Sequence, residues 1–83
     1  MTAAQAAQCD TVWLKTQEYD LVPLNPALGL CVFDLESALR KGVPAWPDPK
    51  RKGFYEIDLC GGWFYINVRD ESRTVYLVAH SRN

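Results

Sequence analysis

The chain is poor in the residues that most often carry chemistry. It has one histidine, His80, and three cysteines, Cys9, Cys31 and Cys60, that stand far apart. No Cys-x-x-Cys spacing occurs, so the usual frame of a structural zinc site is missing. An odd number of scattered cysteines reads as reduced thiols in a cytosol rather than a disulfide framework. There is no Ser/His/Asp set, no nucleophile elbow and no glycine-rich phosphate loop. Basic residues are not in excess: nine Lys and Arg stand against ten Asp and Glu, a net charge of −1. That balance argues against a dedicated nucleic-acid binder, which usually carries a strong basic surplus. No apolar run approaches the roughly eighteen residues of a membrane span. Residues 1–10 have neither a basic region nor an apolar stretch of the secretory kind and read as a frayed tail. The expectation is a cytoplasmic protein without metal or cofactor and with little sign of catalysis.

What the chain does have is apolar and aromatic residues. Of 83 residues, 48 % are hydrophobic and 12 % aromatic, enough for one folded domain over residues 11–83 and too much for disorder. A chain this short has a small core, so association would help it.

The closing third alternates with period two. Phe54–Cys60, Trp63–Arg69 and Thr74–His80 read as three antiparallel strands, joined by Gly61-Gly62 and by Asp70–Arg73. A two-residue Gly61-Gly62 turn pairs Cys60 with Trp63, Leu59 with Phe64, Ile57 with Ile66 and Tyr55 with Val68. A four-residue second loop pairs Arg69 with Thr74, Val68 with Val75, Ile66 with Leu77 and Phe64 with Ala79. Both turns then assign one apolar face: Tyr55, Ile57, Leu59, Phe64, Ile66, Val68, Val75, Leu77 and Ala79.

The other face carries Trp63, Tyr65 and Tyr76 among Glu56, Asp58 and His80. Aromatic side chains bury roughly 150–250 Å² each, so three together approach the largest apolar patch of a typical monomer. The face is either a partly solvated ladder of cross-strand pairs or a contact surface.

Upstream, Thr11–Thr16 and Glu18–Leu24 have strand composition, and Pro23 places the second at an edge or end. Asn25–Gly42 has two readings. In one, Leu30–Phe33 is a short buried strand and a helix runs from Leu35 to Lys41, with Asp34 as cap, Phe33 and Ala38 as staple and Gly42 as stop. In the other, Asn25 caps a single helix from Pro26 to Lys41, with Leu28, Cys31, Val32, Leu35, Ala38 and Leu39 as its apolar stripe. Gly29 and the outward Phe33 favour the first. Val43–Gly53 contains three prolines and reads as a loop. The fold class is therefore α+β: a small antiparallel sheet, made of the C-terminal meander and one or two N-terminal strands, with one helix on its apolar face.

Several groups invite a function. Lys50, Arg51 and Lys52, with Trp46 beside them and Arg40 and Lys41 nearby in sequence, could grip a phosphate or acidic partner. They read first as a solvated loop. Glu56 and Asp58 lie on the order of 6.6 Å apart along one strand and could act as paired carboxylates or hold a cation. His80, in the row with Trp63 and Cys60, could support a Cys/His reaction, but it lacks a third orienting group.

The run Asp48–Leu59, with Gly61–Tyr65 after it, resembles in style small bacterial proteins such as those carried on mobile gene cassettes; that resemblance carries no site. The closing strands resemble the sheet of ribonuclease toxins from bacterial toxin–antitoxin pairs. The chain departs from them in lacking long basic N-terminal helices, a basic balance and a basic catalytic cluster, so no residue role carries over.

The preferred expectation is an interaction domain that self-associates or holds another protein through the Trp63/Tyr65/Tyr76 face. The alternatives are a binder of a cationic or polyhydroxyl ligand in a cleft on that face, and a small hydrolase using His80 with Glu56 or Asp58.

Overall fold

A computed structural model describes residues 11–59 and 62–82. The expected frayed tail, and Cys9, Cys60 and Gly61, lie outside the described residues. The elements are β1 (Val12–Leu14), β2 (Asp20–Pro23), a 3-10 helix (Pro26–Cys31), α1 (Val32–Lys41), β3 (Val43–Pro47), β4 (Phe54–Leu59), β5 (Gly62–Arg69), a 3-10 turn (Asp70–Ser72) and β6 (Thr74–Arg82). The strands form one six-stranded sheet in the order β1-β3-β4-β5-β6-β2. All neighbours are antiparallel except β2, which runs parallel to β6. The class is α+β, as expected, with one strand more than anticipated and one parallel pair.

The chain passes from one sheet edge to the other in residues 15–19. Fully extended, the path from Leu14 to Asp20 spans at most about 22 Å. Across a flat sheet the two edge strands would stand about 24 Å apart. The link is not fully extended either, since Glu18 has φ 66 and the Thr16 N–H donates to the Leu39 carbonyl at 3.0 Å. The sheet therefore curls, and the link crosses the C-terminal end of α1.

Helix formation follows the second sequence reading. The Asn25 side chain accepts from the Ala27 N–H at 3.0 Å, Pro26 opens the helical run, and 3-10 geometry passes into α-helix at Val32. The expected strand Leu30–Phe33 does not exist. Asp34 lies inside the first turn of α1 rather than capping it, and Phe33 is 76 % exposed rather than stapled. Gly42 ends the helix, as expected, donating to the Ala38 carbonyl at 3.0 Å with φ +92. Leu35 and Leu39 are fully buried and share a core with Ala45, Ile57, Phe64, Ile66, Val75 and Leu77; Leu28 and Val32 pack against it. Leu28, Val32, Leu35 and Leu39 of the expected stripe are therefore turned to the sheet.

Val43–Pro47, anticipated as part of a loop, is a strand between β1 and β4. It tolerates its prolines because neither neighbour pairs along its whole length. Val43–Ala45 pair with β1, while Trp46 and Pro47 pair with β4. The loop proper is shorter, and the Asp48 N–H closes it on the Phe54 carbonyl at 2.9 Å.

The first hairpin is two residues out of the expected register. Leu59 pairs with Gly62, Ile57 with Phe64 and Tyr55 with Ile66, so Gly62 belongs to β5 and not to a turn. A shift of two keeps every side chain on its face. In the second hairpin Arg69–Thr74, Val68–Val75 and Ile66–Leu77 pair as expected. The register then changes between Tyr65 and Ile66: Ala79 faces Tyr65, His80 faces Phe64 and Ser81 faces Trp63. Val78 is the extra residue of a β-bulge. Ala79 thereby moves to the outer face and His80 to the side of Phe64.

Candidate functional site

Alternation along β3, β4 and β5 sets up the outer face. One row across the sheet reads Trp46, Glu56, Tyr65, Ala79; the next reads Phe54, Asn67, Tyr76, Val22; at the far end Asp58, Trp63 and Ser81 align. Trp63, Tyr65 and Tyr76 thus share the face away from Ile57, Ile66 and Leu77, and Trp46 and Phe54 join them. All five aromatics are half-buried.

Glu56, expected to solvate this face, is only 4 % exposed, between Trp46 and Tyr65 in its row. Asp58 is exposed. His80 does not share their face. Its ring stacks on Phe64 at 4.4 Å and its Nδ1 lies 3.1 Å from the Trp63 carbonyl oxygen. The bulge thus leaves the proposed His80 and Glu56/Asp58 set unassembled.

The loop 48–53 is fastened to the outer face. The Tyr65 hydroxyl donates to Asp48 Oδ2, and Asp48 Oδ1 accepts from the Lys50 N–H at 2.9 Å. These contacts hold the Asp48 carboxyl below its ordinary pKa, the Tyr65 hydroxyl contributing most, then the Lys50 N–H and the nearby Arg51 charge against partial desolvation. Desolvation pushes the Tyr65 phenol up, helped by its bond to Asp48. Phe54 stacks on Tyr65 at 5.6 Å, and the Arg51 guanidinium lies over Phe54 at 5.5 Å. Gly53, at φ +85, offers its carbonyl to the Val68 N–H at 2.8 Å and to Asn67 Nδ2 at 3.1 Å.

The basic residues are not one cluster. Lys50, Arg51 and Lys52 are exposed on this loop, while Arg40 pairs with Glu36 at 3.3 Å on α1 and Trp46 belongs to β3. Arg40 and Lys41 occupy the last turn of the helix, where cations suit its dipole.

Sequence reading did not single out the residues around a cleft of about 530 Å³ at the β2 end of the face: Leu24, Phe54, Asn67, Arg69, Tyr76 and Val78, with Glu71 and Ser72 at the rim. Of the expected binding residues, only Tyr76 lines it. Asn67 is buried there, its Oδ1 accepting from Arg69 Nε at 3.0 Å. One signal was available: asparagine is a poor strand former, and a single one inside an apolar strand marks a polar contact. No partnerless side-chain nitrogen or oxygen is buried among the described residues.

The fold and face define a small α+β domain with a curled, mixed sheet, helix-covered on one side and aromatic on the other. No protein-family model matches the chain, and no curated protein or solved structure matches it significantly. Among the described residues no helix is long and apolar enough to cross a membrane.

Proposed function

We propose that the chain is a small interaction domain that associates with a second copy of itself through the aromatic outer face of its sheet. The observation that carries this reading is the placement of Trp46, Phe54, Trp63, Tyr65 and Tyr76 on the side opposite the helix-covered core. A core of this size has little stability to spare, and each ring moved fully out of water adds roughly 1.5–3 kcal/mol. The exposed Val22 on edge strand β2, and Leu24 just after it, extend the same surface. In this reading the domain works in the cytosol with its cysteines as thiols, and it is not an enzyme.

Sedimentation velocity over a wide concentration range tests it. The wild type should associate reversibly, and Trp63→Ala should remain monomeric with its far-ultraviolet spectrum intact. A wild type that stays monomeric at the highest concentrations, with Trp63→Ala behaving identically, removes the reading.

A further inference from the structure

The cleft at the β2 end of the face supports a separate conclusion. Phe54, Tyr76, Val78 and Leu24 give it apolar walls, and Leu24 is 59 % exposed beside it. Its volume, about 530 Å³, falls in the range of roughly 300–1,000 Å³ typical of small-molecule sites. Its lining also carries Asn67, Arg69, Glu71 and Ser72; Arg69 is the cation among them, and it is held. Its Nε donates to Asn67 Oδ1 at 3.0 Å, while the buried Asn67 is itself fixed by donating to the Gly53 carbonyl at 3.1 Å.

A surface arginine ordinarily loses much rotamer freedom when it binds an anion. Here part of that ordering is already done by a buried side chain. Among the described residues the remaining edge of the guanidinium pairs with Glu71, with Nη1 to Oε1 at 3.6 Å between two exposed side chains. That separation exceeds a good hydrogen bond and leaves the planar fork open to a carboxylate.

We propose that this cleft binds a small free monocarboxylate with an aromatic or branched apolar body, the body against Phe54 and Tyr76 and the carboxylate on Arg69. A cation would meet a fixed guanidinium. A neutral apolar molecule would cover Arg69 without pairing it. Other charged groups close by are Glu71 at the rim and Lys52 and Asp70 in the adjoining depression, with Asp70 already accepting from the Tyr19 hydroxyl at 2.8 Å. Glu71 competes with the ligand for Arg69 and repels it, which gives the proposal a distinctive sign.

The test is an amide-resolved NMR titration of the full chain with 2-naphthoate, against 2-naphthylmethanol and 2-naphthylmethylamine. The carboxylate should give saturable shifts at Asn67, Arg69 and Tyr76. The alcohol and amine should bind about tenfold or more weakly, as for one lost charge-assisted hydrogen bond. Arg69→Gln should lose the preference for the carboxylate, while Glu71→Gln should bind 2-naphthoate about two- to fivefold more tightly. Trp63→Ala, which does not self-associate, should keep the preference for the carboxylate and bind 2-naphthoate at least as tightly as the wild type, since Phe54, Tyr76 and Leu24 lie on both surfaces; this separates the site from self-association. Equal affinity for the alcohol, no saturable shift with 2-naphthoate, or weaker binding in Glu71→Gln would overturn the proposal. Because the analogue comparison uses the unaltered chain, it stands even if a variant folds poorly.

Discussion

The Tyr65 hydroxyl, on the central strand β5, donates to the Asp48 carboxylate at the head of the basic loop. Asp48 is held down chiefly by this bond, while Tyr65 is pushed up chiefly by desolvation, with the bond adding to it. The two shifts act at opposite ends of the pH scale. Asp48, with a lowered folded pKa, contributes stability above its unfolded value near about 3.9, and this is lost as pH falls through the folded value. Tyr65, with a raised folded pKa, contributes stability below about 10, and this is lost as pH rises through the folded value. Urea midpoints measured against pH should show a plateau with a limb at each end. Tyr65→Phe should flatten part of both limbs. Tyr19 is also raised, chiefly by its bond to Asp70, and Tyr19→Phe should flatten part of the alkaline limb. An acid limb unchanged in Tyr65→Phe would refute the coupling.

Gly42 meets two demands at once. Its φ of +92 suits glycine, and an added Cβ would lie 2.5 Å from Trp13 Nε1. Trp13 is 66 % exposed, so its indole can swing aside, whereas the backbone strain cannot be relieved that way. Gly42→Ala should lower unfolding free energy by about 1–2 kcal/mol. In a Trp13→Ala background a loss of about 1 kcal/mol should remain. Chemical denaturation of the four variants of this cycle separates the two contributions; a penalty that vanishes with Trp13 would mean the conformation itself is unstrained.

The helix offers an internal contrast. Leu35 and Leu39 are buried in the common core, whereas Phe33 on the same helix is 76 % exposed. Leu35→Ala or Leu39→Ala should cost about 2–5 kcal/mol. Phe33→Ser should stay within about 0.5 kcal/mol of wild type. Equal losses from Phe33→Ser and Leu35→Ala, followed by circular dichroism in urea, would show that the helix is not seated on the sheet.

At the start of the helical run, Asn25→Ala should cost about 1 kcal/mol, because the Ala27 N–H loses its acceptor. Asn25→Asp supplies the same acceptor and should recover most of it. Thermal melts of the pair decide the matter, and indistinguishable melts would argue that the cap is idle.

Much of this arrangement could be read from residue order, and the failures have identifiable causes. A Gly61-Gly62 turn implies first-hairpin partners two residues away from those observed, with Gly62 instead paired in β5, yet Ile57, Phe64 and Ile66 face the core either way because alternation survives an even shift. His80 was assigned to the wrong side because a bulge at Val78 inserts an odd step, and neither valine nor its neighbours announce one. The Pro44 and Pro47 strand was missed because proline bars full pairing, whereas this strand needs only half on each side. In the candidate site, Tyr76 was anticipated; Phe54, Asn67 and Arg69 were not, since their meeting with Leu24 depends on a strand from the other end of the chain.

Residue order alone determined which side chains of each strand point together, where the helix stops and that one face would be aromatic. Those features follow from backbone periodicity and the φ freedom of single residues, and both act locally. Tertiary structure alone decided that β2 lies parallel to β6, that Glu56 is enclosed and that Asn67 holds Arg69 over an apolar cleft. Each of these requires segments distant in sequence to meet, and the free energy that joins them comes from burial shared across the whole sheet rather than from any one stretch of chain.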